Sequence, residues 1–514
     1  MIWHIFKKDA KLLWWLAVAA AALRFAEVAA AQMMGLFPNA RLRNLSGLLA
    51  LGGILVVGIA ICAAVHQDSI PGVRQDWLVR PIRRRDLLLA KLLWVVVLIQ
   101  FPIFIGDLIQ GLLAGSGVAP SLAAASSRSL FLLLAVDVPF LAVASITRSL
   151  LEALTGCVAI SLVFATFMSL IAGSSGQLQP AISGGVEWIT ATMMIATLLA
   201  GAAVVLRLQF FRRRTLFARY VMGTLAVVSI FGTMMPWQPV FAVQKALSPA
   251  PGSAAAVDVS FDPALGKAKG FNLYPSKAAI ELPTQVFLPM RIAGLQPDSS
   301  VQADHVQIRL IDPNGDAHNL DTYSRLGAMG TNTVETRNSS YQIVGVQGDL
   351  YRKLKDRPAR LEIDYSLTLF QLASTHSLPA LSADEQIPSV GWCATKINAN
   401  ETAVQLSCEQ AGRAPGCLVL YLEHVPSGQR NPSRFDCERP DYGPYLDWAL
   451  IPDGMARFGG ALAFRDFNGL AKYPVEGSQL QDSRIVMRIY KPLEHFTRRL
   501  VISEVKLGDW ATNL

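Results

Sequence analysis

The chain has 514 residues, 52% of them hydrophobic and 16% charged, with a formal net charge of +8 at pH 7. The charge is unevenly placed: residues 1–245 hold 20 Lys/Arg against 9 Asp/Glu, and residues 246–514 hold 26 against 29. A basic excess that sits in short clusters between long apolar runs points away from a nucleic-acid partner and towards a polytopic membrane protein.

Seven apolar segments are long enough to cross a bilayer, which takes about 20 helical residues. They are 12–34, 45–66, 87–114, 129–147, 150–173, 186–207 and 215–241. The first resembles a secretory signal, with "VAAAQ" offering small residues for cleavage. Arg24 and Glu27 count against cleavage, because they interrupt the apolar core just before that point, and the segment reads as a membrane helix. Standing three residues apart, they share one helix face and can pair there. Pro102 interrupts the third segment and predicts a kink. Asp107 and Asp137 fall in the third and fourth segments, where ionisable groups are costly and often functional. Asp137, two residues before Pro139, is the deepest candidate for lining a path; pairing of these acids with Arg24 or Arg128 is the competing role.

Segments 1–11, 67–86, 148–149 and 208–214, with Arg207 and Arg219, hold 14 Lys/Arg, and the alternate loops hold 4. This bias predicts a cytoplasmic N-terminus, and seven crossings then put the rest of the chain outside.

The stretch "ALSPAPGSAAA" (246–256) reads as a linker. Beyond it, runs of β type at 285–295, 305–315, 359–370, 417–425 and 484–492 lie between turn signals such as "DPNG" (312–315), with one short helix at 349–358. The predicted fold class is therefore an α-helical polytopic membrane domain of about seven helices (1–245), followed by a mainly-β, sandwich-like extracytoplasmic domain (257–514). Four cysteines, Cys393, Cys408, Cys417 and Cys437, lie in this second half, and an exported domain predicts disulfides between them. Three pairings are open; the sequential one, 393–408 with 417–437, closes two short loops and is preferred. No metal is expected, since C-x2-C spacing is missing and the histidines at 305, 318, 376, 424 and 495 are scattered. No catalytic residue is expected either, because H-E-x-x-H, G-x-S-x-G and Walker A sequences do not occur.

Between the second and third segments stands "QDSIPGVRQDWLVRPIRRRDLLLAKLLW" (67–94). Its Asp68, Gly72, Trp77, Leu78, Arg80, Pro81, Ile82, Arg83, Arg84, Leu88, Leu89 and Lys91 resemble the loop after the second membrane helix in permease subunits of type-2 ABC exporters. Phe6, Lys8, Asp9, Leu12 and Trp14 in "IFKKDAKLLWW" look like the interfacial helix that opens the same family. The resemblance implies an ATPase-coupling segment built on Asp68, Gly72, Trp77, Arg80, Pro81, Arg83, Arg84 and Lys91. It also implies a separate ATPase chain that binds the ATP, no cofactor on this chain, and a homodimer or pseudo-dimer of permeases in a bacterial inner membrane. A short helix along the membrane, with Val73 and Trp77 on one face, would seat in a groove of the ATPase. The arginines would meet acidic groups of that partner or lipid phosphates. The family commonly has six crossings, so the seventh and the large outer domain depart from it. The alternative reading is a membrane-anchored sensor or scaffold whose outer β domain binds a ligand or envelope partner.

Overall fold

The apolar runs of the first half form helices, because Leu, Ala, Val and Ile dominate them and their few prolines stand where the helices widen or stop. The computed structural model describes residues 1–37, 40–67, 83–156, 166, 187–212, 214–232, 237–267, 284–322, 328–331, 339–387, 390–412, 417–432, 455–465 and 474–511. Its helices are α1 (Ile2–Met34), α2 (Ala40–His66), α3 (Arg84–Leu113), α4 (Val118–Ile146), α5 (Glu187–Arg207), α6 (Thr215–Gly232) and α7 (Trp237–Ala246). Among the described residues, five stretches are long and apolar enough to cross a membrane: Ile2–Met33, Asn44–His66, Arg84–Leu113, Val118–Ile146 and Thr192–Arg212. They match the first four and the sixth of the seven expected segments. The fifth, 150–173, lies mostly outside the described residues. Of the seventh, Thr215–Gly232 is described as α6 and Trp237–Ala246 as α7, and 233–236 lie outside the described residues.

Leu16, Ile61, Trp94, Leu141 and Val205, from five different helices, share one buried apolar core. Trp14, Trp15, Leu48, Leu51 and Leu113 point outward and are exposed, so the bundle is apolar inside and out. Such a surface suits lipid rather than water.

The second half is mainly β. One sheet contains β1 (Asp258–Phe261), β2 (Thr284–Ala293), β3 (Ser299–Ile311), β4 (Ala317–Thr322), β5 (Ala328–Thr331), β6 (Ser339–Val346), β7 (Ala359–Pro379), β11 (Cys417–His424), β12 (Gln429–Pro432) and β14 (Ser483–Val505). A second holds β8 (Asp384–Ile387), β9 (Gly391–Ile397), β10 (Ala403–Ala411) and β13 (Met455–Ala463). The expected strands appear as β2, β3, β7, β11 and β14, and the expected helix as α8 (Gly348–Leu354). β7 and β14 have 21 and 23 residues, so each runs about 70 Å at about 3.3 Å per residue. They pair along almost their whole length and serve two apolar cores in succession. In the first, Leu361, Ile363 and Ile502 meet Val286, Leu288 and Val344 from β2 and β6. In the second, Leu378, Ile485 and Met487 meet Leu406, Phe458 and Leu462 from β10 and β13. The first core is built from strands of the ten-stranded sheet alone, and the second lies between that sheet and the four-stranded one. Shifts of register at Ile489/Tyr490 and Pro492/Glu494 mark the passage from one core to the other.

The Cys393–Cys408 disulfide joins directly opposed residues of β9 and β10. Cys417 is also disulfide-bonded, and Cys437 lies outside the described residues. The stretch 246–256, read as a linker, is held along β14: Ala250 N donates to Leu493 O at 3.0 Å, and Ala254 is buried in the first core.

Helix α7 lies against the sheet through Trp237, Phe241 and Gln244, a spacing that places them on one face. Trp237 Nε1 donates to Ser366 Oγ at 3.2 Å, and its ring lies 5.0 Å from that of His305. A register shift between Ala303 and His305 gives β3 an extra residue, Asp304, beside Thr368 of β7. Thr368 Oγ1 donates to Asp304 and lies 2.7 Å from His495 Nδ1; Gln244 Nε2 lies 3.3 Å from His495 Nε2. One consistent set of donors runs from Gln244 to His495 Nε2, from His495 Nδ1–H to Thr368, and from Thr368 to the Asp304 carboxylate. That set requires a neutral imidazole. Burial holds both His305 and His495 below the ordinary value of 6.5. The unfolded chain therefore takes up protons first as pH falls, so this stabilisation is complete above pH 6.5 and is lost below it. Thermal unfolding of the detergent-solubilised chain should show a melting temperature that falls between about pH 7 and about pH 5, with a smaller fall in His495→Gln.

Candidate functional site

Every polar side chain on a helix packed in an apolar bundle needs a partner from another helix, because no water is there to replace one. Helix α3 carries four such residues, Lys91, Gln100, Asp107 and Gln110, all buried. They fall at three levels along its length.

At the first level, Lys91 Nζ donates to Asp9 Oδ2 at 2.7 Å and to Ala64 O at 2.6 Å, joining α3 to α1 and α2. Both charged side chains are fully buried. Close by, the exposed Arg84 donates to Phe211 O at 2.8 Å, and the exposed Arg83 occupies the N-cap position of α3 without a side-chain cap bond. Arg219, on α6, donates to Ile146 O and pairs with Glu152 at 2.7 Å.

At the second level, Gln100 Nε2 donates to Asp137 Oδ2, and Ser129 Oγ donates to Gln100 Oε1 at 3.1 Å. Gln100 ends a π-helical turn in α3 (Val95–Gln100), and Asp137 ends one in α4 (Leu133–Asp137).

The third level is a four-charge cluster. Arg24 Nη1 pairs with Glu27 Oε2 at 2.7 Å on α1, as their spacing predicts. Arg24 Nη2 also donates to Asp107 and, at 2.7 Å, to Gln110 Oε1. Arg128 on α4 holds Asp107 at 2.9 Å. Gly106 makes this approach possible: a Cβ there would stand 3.0 Å from Arg24 Cγ. Two cations balance two carboxylates, and the buried pairs repay desolvation by geometry as well as by charge.

Above this cluster the β region grips the helices. Arg457 donates to Ala31 O at 3.2 Å while also holding Glu409. The backbone N–H of Ala411 donates to Ser116 Oγ at 3.0 Å, and Gln386 donates to Gly115 O. Gly115 has φ +74°, and a Cβ there would lie 2.9 Å from the Trp392 ring. Arg24 is seven residues from Ala31 and Asp107 eight from Gly115, so the cluster lies about two helical turns below these contacts.

The structure thus brings Arg24, Glu27 and Asp107 together, places Asp137 in a separate pair, and buries Lys91 as a brace between three helices. Asp68, Gly72, Trp77, Arg80 and Pro81 lie outside the described residues. Gln100 and Gln110 were missed in the sequence because neutral amides do not stand out in charge patterns. The signal that could have found Gln100 is "QFP" at 100–102 set beside "DVP" at 137–139. Among the described residues, no group of three or more His, Cys, Asp or Glu side chains has the arrangement of a metal site.

Comparison with known proteins finds no matching family model, no matching curated protein and no matching solved structure.

Replacing one member of the four-charge cluster leaves a buried charge poorly compensated. Asp107→Leu should destabilise the solubilised chain by about 3–5 kcal/mol. Asp107→Leu/Arg128→Leu should recover part of that loss, since Arg24 retains Glu27. Thermal unfolding of the wild type, both single variants and the double variant measures this coupling.

Proposed function

We propose that this chain is the membrane-spanning permease subunit of an ATP-driven export system, coupled through its 67–86 segment to a separate ATPase. The observation that carries this reading is the Asp9–Lys91 pair. It joins the two stretches on which the resemblance rests, "IFKKDAKLLWW" and "LLLAKLLW", and adds the Ala64 carbonyl of α2. A force applied to the segment before α3 would therefore reach α1, α2 and α3 together rather than one helix alone. In this reading ATP and its hydrolysis belong to the partner chain, and permeases act in pairs. The N-terminus is cytoplasmic and the β domain lies outside a bacterial inner membrane.

A second reading is a membrane-anchored sensor or scaffold whose β domain binds a ligand or envelope partner. The contacts of Arg457, Ala411 and Gln386 with the ends of α1 and α3 favour it, because they offer a direct route from the β domain to the helices.

Pull-down of the ATPase from mild detergent separates the two. Trp77→Ala should lower recovery by about thirtyfold, the equivalent of about 2 kcal/mol for a buried aromatic anchor. Arg83→Ala and Arg84→Ala should lower it less, in a salt-dependent way. Accessibility labelling of a cysteine at position 84 from the cytoplasm, and of one at position 300 only from outside, checks the orientation. Unchanged recovery with Trp77→Ala, together with reversed labelling in an arginine variant, would leave the segment as an orientation signal alone.

A further inference from the structure

The Gln100–Asp137 pair differs in kind from the other buried charges of the bundle. Asp9 has Lys91, Asp107 has Arg24 and Arg128, and Glu27 has Arg24. Asp137 is only 2% exposed, yet no cation reaches it among the described residues. Its Oδ2 accepts from the neutral amide of Gln100, and its Oδ1 has no hydrogen-bond partner among the described residues.

The local backbone explains why a polar pair stands here. Pro102 and Pro139 each follow the pair by two residues. A proline lacks the N–H and crowds the carbonyl four residues before it, here Leu98 and Ala135. Both helices widen into π turns at those residues, which relieves the crowding and leaves backbone carbonyls short of donors. The two widened turns face one another, with Gln100 and Asp137 at their ends. An amide orders one carboxyl oxygen from one side, since Ser129 in turn holds the amide oxygen. The second oxygen is left for something that neither helix supplies.

We propose that Asp137 is a proton-binding site, its carboxyl taking up one proton from solvent and releasing it, with Gln100 fixing the other oxygen. The proton makes the group neutral, which removes the cost of an isolated charge in an apolar bundle. Asp107 differs in standing between two arginines. This site is independent of whether the chain exports or senses.

The full-length wild-type chain in native membranes tests it. Dicyclohexylcarbodiimide is apolar and reacts with protonated carboxyl groups, and peptide mass spectrometry locates the adduct. Asp137 should carry at least about tenfold more label than Asp107, with less label as pH rises. An infrared spectrum should also show a carboxylic-acid carbonyl band that Asp137→Asn removes; asparagine keeps the acceptor for Gln100, so the fold is spared. That band decides the matter where the reagent reaches neither acid. Equal labelling of Asp107 and Asp137, or an infrared spectrum unchanged by Asp137→Asn, overturns the proposal. Protection of Asp137 by sodium at constant pH overturns it too, since the site would then hold a metal cation.

Discussion

Helix α3 is long, apolar and buried along one face, and each polar group on that face has to be answered by another helix. Lys91 is answered from α1 and α2, Gln100 from α4, Asp107 and Gln110 from α1, and Asp107 again from α4. Apolar packing alone leaves helices free to slide or rotate against one another, since lipid and leucine are nearly equivalent surroundings. The polar contacts remove that freedom: each has one geometry, and leaving it unmade is costly. The register of α1, α2 and α4 against α3 follows from them.

The three levels differ in what they allow. The first and third are charge pairs, in which separation of the partners leaves buried ions. They hold the two ends of α3. The second is a hydrogen bond between an amide and a carboxyl, set where both helices are already loosened by proline. The bundle is therefore braced by charge pairs towards both ends of α3, and between them the π turns of α3 and α4 are joined by a hydrogen bond without a cation. The outer brace has a further consequence. It lies about two turns below the grip of Arg457, Ser116 and Trp392, so displacement of the β8–β9–β10–β13 sheet bears directly on Arg24 and Asp107.

The β region is organised by the unusual length of β7 and β14. One pair of strands passes through two cores, so the part nearest α7 and the part nearest the α3–α4 turn form one continuous body. Helix α7 is fastened to the first part by Trp237 and Gln244, and the α3–α4 turn to the second by Ser116 and Gly115. With Arg457 holding the end of α1, the helices and the sheets are thus joined at places that are far apart in sequence.

The sequence by itself determined five of the apolar helices, five of the strands with the short helix α8, and that Arg24 and Glu27 share a face. These properties depend on local periodicity, composition and spacing, which a linear reading retains. It also showed Pro102, Asp107, Asp137 and Arg128 as singular residues in apolar surroundings. Only the tertiary structure decided their partners. Asp107 meets an arginine 83 residues away, Lys91 an aspartate 82 residues away, and Asp137 a glutamine 37 residues away. Helix rotation and depth choose such partners, and no sequence spacing encodes either. The same reason explains the docking of Trp237–Ala246 on the sheet and the fastening of 246–256 along β14. An apolar run is legible in the sequence, but whether its last turns enter a bilayer or lie on a sheet depends on the surface that meets them.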